Sequence, residues 1–182
     1  MSITLTDEIL STCHTDYFVE TGTFHGATVQ MAIEAGFSDI RSIEIDAELY
    51  RENTLLFADD PRVSIFLGDS IKVLPYVIEG ITDPITFWLD AHGGNTDTIG
   101  EIYVPLLEEI AIISKHPVKR HILLIDDIRL AGTDTCGWGE VTLDRIQEEI
   151  RKISADYTME LYDSKMYPKD ILVARVLCSS PS

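Results

Sequence analysis

The sequence predicts one α/β domain over residues 1–182, built on a Rossmann-like, mostly parallel, seven-stranded sheet with helices on both faces. One strand near an edge is predicted to run antiparallel. Three observations support this fold. Short apolar runs alternate along the chain with segments of helical periodicity. The runs are almost continuously hydrophobic, as strands covered on both faces must be. The last two runs stand too close together for a crossover helix, which favours a hairpin.

The predicted elements follow one another in βα order from about residue 17. Strands are predicted in YFVET, IRSIEID, VSIFLGD, ITFWLDA, HILLIDDI, YTMELYD and DILVARVL. Helices are predicted in GATVQMAIEAG, AELYRENTLLFA, SIKVLPYVIEG, EIYVPLLEEIAIISKH and TLDRIQEEIRKIS. Pro75 lies inside the third helical segment, so that helix is expected to be short or kinked. Residues 1–16 form an N-terminal segment, and residues 179–182 form a loose tail.

Length, charge and cysteine usage exclude several classes of protein. The 182 residues suit one domain with its own core. The net charge of −17 would repel nucleic acids and anionic membranes, so neither partner is expected. No apolar run is long enough to span a membrane, and the start MSITLTDEIL lacks the basic region of a secretory signal. Three widely spaced cysteines favour a cytoplasmic protein over a disulfide framework. The sequence leaves open whether the chain forms a homo-oligomer.

Polar residues follow the predicted strands where each strand ends. Parallel strands place their carboxyl ends at one edge of the sheet, and ligands bind there near the point where the strand order reverses. The sequence therefore predicts a site at this edge from residues 20–26, Glu44, Asp46, Asp69, Ser70, Asp90, His92, Asp126 and Asp127.

The segment VETGTFHGAT marks the first strand-to-helix turn. Glycine at positions 22 and 26 allows positive φ and close approach of a ligand to the backbone. Thr28 and the amides of the helix start can hold an anion such as a carboxylate. Glu20 would repel a pyrophosphate and suits a ligand with an ammonium group. The glycine spacing differs from the dinucleotide fingerprint, which disfavours an NAD-dependent oxidoreductase. A purely structural turn is the alternative.

Acidic residues near this turn also allow two interpretations. Glu44, at the end of the second strand, is well placed to bind two ribose hydroxyls, and the alternative is a cap on the following turn. Asp46 is expected to cap the next helix. The charge runs EEI, which occurs in LLEEI and QEEI, and RKIS are expected on solvated helix faces.

Together these motifs resemble class I S-adenosylmethionine-dependent methyltransferases, and more narrowly the metal-dependent O-methyltransferases of the catechol and macrocin types. The resemblance covers about residues 17–177. ETGTFHGAT is similar to the family's first motif, E-x-G-x-x-x-G-x-[ST], and SIEID to its acidic end of strand two. LGDS…LP is similar to the segment beside the adenine. FWLDAH and LLIDDI are similar to the strand ends where that family places its metal ligands.

The resemblance implies a role for each matching position. The methionine part of S-adenosylmethionine would contact Glu20, Gly22, Phe24, Gly26 and Thr28. The ribose would contact Glu44, and the adenine would contact Ser70 together with Asp69. A divalent ion would bind Asp90, Asp126 and Asp127. All three ligands are hard oxygen donors, which favours Mg²⁺ over other divalent ions.

The same resemblance implies how catalysis would work. The metal would lower the pKa of the acceptor hydroxyl and orient it toward the sulfonium methyl, which makes Asp90 catalytic as well as a ligand. Where catechol enzymes have a lysine, this chain has Gly93, which disfavours catechol chemistry. His92 is the predicted general base, since an imidazole pKa of about 6.5 suits that role. The alternative is a metal neighbour or an ordinary loop residue.

Two points concern the geometry around the acceptor. Asp126 and Asp127 are adjacent, and strand alternation predicts that at least one of them faces the site. Few residues precede the first strand, so cover for the acceptor is expected from the loops at 92–100 and 128–140, from a partner subunit, or from nothing. Trp138 is either a substrate wall or a loop anchor.

The predicted acceptor is a hydroxyl of a small molecule, with a sugar or natural product preferred over a catechol. The main alternative is a catalytically inactive S-adenosylmethionine-binding protein with a regulatory or scaffold role.

Overall fold

The computed structural model describes residues 4–92, 100, 102–135 and 137–177. Its strands are β1 (Tyr17–Thr21), β2 (Asp39–Glu44), β3 (Val63–Leu67), β4 (Ile85–Leu89), β5 (Ile122–Ile125), β6 (Tyr157–Tyr162) and β7 (Ile171–Val176). Its α-helices are α1 (Asp7–Thr12), α2 (Ala27–Ala35), α3 (Ala47–Leu56), α4 (Ser70–Val77), α5 (Leu106–Ile113) and α6 (Leu143–Ile153). A 3₁₀ turn, Ile128–Leu130, follows β5.

The strands form one sheet in the order β3-β2-β1-β4-β5-β7-β6. Strands β1 to β5 pair in parallel, and β7 is antiparallel to both of its neighbours. The predicted fold class is therefore confirmed, including the antiparallel strand near an edge. The strand order reverses between β1 and β4, which pair along their whole length. Ligand sites of open α/β sheets lie beside such a reversal.

Both faces of the sheet are buried, as its hydrophobic strands require. Phe18 and Trp88 pack in a core cluster on one face, together with residues of α1 and α2. Their neighbours Val19 and Phe87 pack in a second cluster on the other face, with residues of α4, α5 and α6. Because successive side chains of a strand point to opposite faces, each central strand contributes to both clusters.

Two helices differ from the sequence prediction. Helix α5 begins at Leu106 and not near residue 101, because Pro105 precedes it as the N-cap. The N-terminal segment contains a helix that the pattern did not reveal, α1, whose Thr6 side chain accepts a hydrogen bond from Ile9 N. Helix α4 is short and contains Pro75, as expected. Among the described residues, no helix is both long and apolar enough to cross a membrane.

Gly26 fixes the junction between the first turn and α2. Its φ of 74° is left-handed, and it precedes the helix as the N-cap. A Cβ at this position would lie 2.3 Å from Asn53 Oδ1 and 2.6 Å from the Phe57 ring. Glycine is therefore needed here for packing against α3 as well as for backbone conformation.

We expect Gly26→Ala to destabilise the fold more than Gly36→Ala. Both glycines are left-handed, with φ of 74° and 88°, so both substitutions cost about 1–2 kcal/mol. At Gly36, no heavy atom lies within 4 Å of the new methyl group. At Gly26, the overlap should add about 1–3 kcal/mol to the loss. Urea unfolding measures both losses, and equal values would contradict this account.

Candidate active site

A cavity of about 240 Å³ opens at the carboxyl ends of β1, β4 and β5. Its wall brings together predicted cofactor residues and predicted metal ligands, namely Gly22, Phe24, Thr28, Asp90, Asp126 and Asp127. The other predicted site residues are not part of this wall, namely Glu20, Gly26, Glu44, Asp69, Ser70 and His92. They lie at the ends of β1 and β2, in the turns after β1, β3 and β4, or at the first residue of α4.

The β1–α2 turn packs tightly against the end of β4. Gly22 N donates to the Ile43 carbonyl at 2.9 Å. A Cβ at Gly22 would lie 2.8 Å from the carbonyl oxygen of Asp90. Phe24 has a left-handed φ of 49°, and its N–H donates to Glu44 Oε2 at 2.7 Å. Packing alone therefore demands glycine at position 22, while the turn still faces the cavity.

Glu20 is a buried acid beneath this turn, with 1% of its surface exposed. Ser42 Oγ donates to its Oε2 at 2.5 Å. Its Oε1 has no hydrogen-bond partner among the described residues. Burial raises the pKa of Glu20 to about 8, against the lowering effect of the Ser42 and Thr28 side chains. A ligand's ammonium group would supply the missing donor.

Glu44 joins the first two turns of the sheet edge. Its Oε2 accepts from Phe24 N, and its Oε1 accepts from Asp46 N at 2.8 Å. Burial raises the pKa of Glu44, although these backbone hydrogen bonds oppose the shift. Each oxygen retains a second lone pair for a ligand hydroxyl. Asp46 caps α3 by accepting from Glu48 N and Leu49 N, as expected.

Asp69 and Ser70 form the start of α4, away from the cavity wall. Asp69 caps the helix by accepting from Ile71 N at 3.2 Å. The Ser70 side chain acts to lower the pKa of Glu109 of α5, against the effect of burial. Gly100 lies over Asp69, since a Cβ there would be 3.0 Å from Asp69 Oδ2. These residues form a separate part of the sheet edge.

The expectation of a solvated face was wrong for Glu109. Only 1% of its surface is exposed, because α5 packs against both α4 and α6. Burial raises the pKa of Glu109 to about 7. Thr21 Oγ1 donates to its Oε2 at 3.3 Å, and its Oε1 has no partner among the described residues. The apolar residues on both sides of the glutamates in LLEEIAII were the sequence signal that could have indicated a buried helix here.

His92 lies between two of the predicted metal ligands. Its Nε2 is 2.7 Å from Asp127 Oδ2 and 3.5 Å from Asp90 Oδ1. The pKa of Asp90 is raised well above its usual range by burial and then by repulsion from Asp126 and Asp127. Burial also acts to raise the pKa of Asp127. The hydrogen bonds and positive charges of His92 and Arg129 outweigh burial, so the pKa of Asp127 is lowered.

Asp126 and Asp127 both line the cavity, so strand alternation does not separate them. Strand β5 ends at Ile125, and Asp127 adopts a left-handed φ of 57° that turns the chain. The Thr4 hydroxyl donates to Asp126 Oδ2. Asp126 Oδ1 is buried and has no partner among the described residues. Burial raises the pKa of Asp126 to about 6.

A cation and a further acid complete the polar side of the cavity, and neither was predicted. Arg129 Nη1 donates to Asp127 Oδ1 and to both oxygens of Asp170, at 2.9 and 2.8 Å for Asp170. Asp170 is fully buried just before β7. The Arg129 guanidinium also stacks on the Tyr167 ring, 4.1 Å from its centroid. Arg129 follows Asp127 by two residues, so a contact between these two could have been predicted. Nothing in the neighbouring sequence indicates the contact between Arg129 and Asp170.

The cover of the cavity differs in part from the expected loops. Thr4 and two residues of the β6–β7 connection, Met166 and Tyr167, line it. Most of the loop at 92–100 lies outside the described residues, so its predicted role stays a prediction. Trp138 is buried in the core, and its ring meets the edge of His92 at 6.1 Å between centroids. This placement supports its interpretation as a loop anchor.

The potential metal ligands form two groups that share Asp127. Within each group, one ligand atom per residue lies within 4.8 Å of the others. One group contains Asp90, His92 and Asp127, and the other contains Asp126, Asp127 and Asp170. The predicted ligands Asp90 and Asp126 thus fall into different groups. His92 joins the first group as a nitrogen donor.

We expect buried Glu20 to lower the stability of the protein as the pH rises from about 5 to 8. Its folded-state pKa of about 8 exceeds the unfolded value of about 4.3. The protonated form therefore stabilises the fold fully below the unfolded pKa, and this contribution is lost as the pH rises through the folded pKa.

Glu20→Gln should flatten this pH dependence. At pH 8 the free energy of unfolding should differ by on the order of a few kcal/mol from that expected with ionisable Glu20, since one pKa unit corresponds to about 1.4 kcal/mol. Urea unfolding across the pH range measures the effect, with the exposed Glu148→Gln as the matched control. An unchanged slope in Glu20→Gln would show that its carboxyl ionises normally in the folded protein.

No protein-family model matches this chain, and no curated protein matches it. Solved structures match at low identity. A candidate caffeoyl-CoA O-methyltransferase from Staphylococcus aureus has a TM-score of 0.58 at 13% identity, covering 94% of this chain and 80% of its own. A candidate methyltransferase from Streptococcus mutans, in complex with SAH (S-adenosylhomocysteine), has a TM-score of 0.61 at 13% identity, covering 94% and 95%. A candidate rRNA methylase from Clostridium thermocellum has a TM-score of 0.62 at 14% identity, covering 92% of both chains.

At such identities the likeness establishes the fold. The chain has the Rossmann-like fold of S-adenosylmethionine-dependent methyltransferases, which confirms the resemblance that its motifs predicted.

Proposed function

We propose that the chain is an S-adenosylmethionine-dependent, metal-assisted O-methyltransferase acting on a hydroxyl of a small molecule. One observation carries this proposal: acids that follow β4 and β5 share a cavity with the glycine turn that follows β1. A cofactor on the turn and a hydroxyl beside the acids would therefore be neighbours. A solved structure of the same fold contains SAH, which supports the choice of cofactor.

The cavity suits the reactive end of the cofactor. Its volume of about 240 Å³ is smaller than the roughly 300–1,000 Å³ of pockets that enclose a drug-sized ligand. We assign it to the methionyl end, with the ammonium group at Glu20 and the carboxylate at Thr28 and the α2 amides. The ribose would extend to Glu44 and the adenine to Asp69 and Ser70.

The acidic residues fit a divalent ion held by Asp90, Asp126 and Asp127. Repulsion from its acidic neighbours helps to keep the pKa of Asp90 high, and buried Asp126 Oδ1 lacks a partner. A bound cation would relieve both conditions. Carboxylate ligands favour Mg²⁺, with Mn²⁺ as a substitute. Such an ion lowers the pKa of an acceptor hydroxyl.

His92 is the proposed acceptor of the hydroxyl proton. Its Nε2 lies 2.7 Å from Asp127 Oδ2, and Asp127 lines the cavity, so this contact holds the ring beside the cavity wall. The negative charge of Asp127 also favours the protonated imidazole that forms when the base accepts a proton. The Trp138 ring lies edge to face with the His92 ring, 6.1 Å away between centroids.

The acceptor is proposed to be a sugar or natural product in the cytoplasm. Gly93 at the position of the catechol enzymes' lysine disfavours a catechol. Although one solved neighbour is named an rRNA methylase, the net charge of −17 disfavours nucleic acids here. Tyr167 and Met166 at the mouth, 41% and 50% exposed, offer an apolar contact for the acceptor.

Calorimetric titration tests the proposal directly. We expect SAH to bind the wild type, and Mg²⁺ to give a separate binding signal that EDTA abolishes. Asp90→Ala should lose the Mg²⁺ signal and keep SAH binding, since Asp90 is a proposed ligand and contacts the turn through its backbone. The exposed Asp83→Asn is the control and should behave as the wild type.

Two other outcomes would change the assignment. Binding of SAH without any metal signal would favour the inactive cofactor-binding protein with a regulatory or scaffold role. Absence of SAH binding in every variant would reduce the glycine turn to a structural feature and overturn the proposal.

We expect His92→Gln to lower kcat for methyl transfer by about 10²–10⁴-fold, the usual contribution of a general base. Formation of SAH with sugar and phenol acceptors measures kcat. His14→Gln is the control, because exposed His14 stacks on Phe37 away from the cavity. If His92→Gln instead loses Mn²⁺ affinity in step with activity, His92 acts as a ligand and not as the base.

A further inference from the structure

Arg129 occupies one of the two groups of potential metal ligands. That group, Asp126, Asp127 and Asp170, is buried throughout. Arg129 Nη1 contacts Asp127 Oδ1 and both carboxylate oxygens of Asp170. The guanidinium thus lies where the carboxylates of this group converge. The other group, Asp90, His92 and Asp127, meets the guanidinium through Asp127 Oδ1, and the opposite oxygen of Asp127 faces His92.

Arg129 is held there from three sides. The Asp170 carboxylate also accepts from the backbone N–H of Arg129 at 3.3 Å and from Ser164 Oγ at 3.1 Å. The Tyr167 ring stacks on the guanidinium 4.1 Å away. Arginine keeps its charge at every physiological pH, and two carboxylates fix its planar donors. The cation is therefore built into the fold and does not depend on a mobile side chain.

We propose that Arg129 serves as the resident counter-ion of Asp127 and Asp170 and thereby restricts the cavity to a single divalent ion, the one held by Asp90, Asp126 and Asp127. This inference rests on the metal site of the proposed function. A second ion at Asp126, Asp127 and Asp170 would have to approach the guanidinium and remove its partners. Repulsion between like charges opposes that binding, and burial of the three carboxylates weakens its screening by solvent.

The occupied group would otherwise suit a metal. All its ligands are carboxylates, the donors that Mg²⁺ and Mn²⁺ prefer. Asp126 has only 4% of its surface exposed, and its Oδ1 has no partner among the described residues. This oxygen would be a ligand of the single proposed ion, and Arg129 occupies the Asp170 side of the group. Without the guanidinium, the group would hold uncompensated buried charge.

Titration with Mn²⁺ alone, followed by calorimetry and by the loss of free-ion signal in electron paramagnetic resonance, tests the inference. The wild type should bind one ion per chain. Arg129→Gln should bind two, and Arg129→Lys, which keeps the charge, should bind one. Arg145→Gln is the matched control, because Arg145 is exposed and pairs with exposed Glu140. Its stoichiometry should remain one.

Stability provides a second readout for the same variants. Arg129→Gln leaves Asp170 buried without its partner, so its melting temperature should fall in EDTA. Mn²⁺ should raise that temperature more in Arg129→Gln than in the wild type, because the ion replaces the lost cation. One ion per chain in folded Arg129→Gln, with no additional thermal rescue, would overturn the inference.

If Arg129→Gln does not fold, the variant Asp170→Asn tests whether the bound ion displaces Arg129. Asp170→Asn should leave the Mn²⁺ affinity of the wild-type site unchanged, because Asp170 is not one of the proposed ligands of that ion. Loss of about 10-fold or more, as expected for disruption of a metal site, would mean that the ion displaces Arg129 and would overturn the inference.

These outcomes separate the inference from the proposed function. A wild type without any ion, together with Arg129→Gln that binds one, would refute metal assistance and still support the role of Arg129. If the wild type and the Arg129→Gln variant each bind one ion, metal assistance is supported and the proposed role of Arg129 is refuted.

Discussion

Repulsion among buried carboxylates at the carboxyl edge of the sheet is the constraint on which the site depends. Asp90 and Asp126 lie where burial and like charge both raise their pKa values. Asp127 differs because His92 and Arg129 contact it, and their hydrogen bonds and charges lower its pKa. The negative charge of Asp127 is therefore compensated by neighbouring side chains, whereas the charges of Asp90 and Asp126 are compensated less. A bound cation would interact most favourably with Asp90 and Asp126.

The fold holds these charges together through rigid contacts. Gly22 lets the end of β1 approach the Asp90 backbone, so the glycine turn and the acidic cluster share one wall. Strand β7 runs antiparallel beside β5, which brings Asp170 to the same edge as Asp127. Sites built on strand ends are well fixed, because several backbone hydrogen bonds hold each position.

Asp127 connects the proposed base with the resident cation. One of its oxygens faces His92, and the other faces Arg129. Any change in Arg129 therefore alters the partner of His92 as well as a potential metal ligand. In this arrangement the orientation of the base and the number of bound ions are coupled through one side chain, so effects of substitutions at these three positions should not be additive.

The sequence by itself determined the succession of strands and helices, the position of the glycine turn and the acids at the strand ends. These features depend on local periodicity and turn chemistry. Only the tertiary structure decided how the acids are partnered. Arg129 and Asp170 are 41 residues apart and meet because β7 inserts between β5 and β6. Glu109 became buried because two helices cover α5. Asp126 and Asp127 face the same cavity because the strand ends before them. Such partnerships arise from packing between distant segments, which no local pattern encodes.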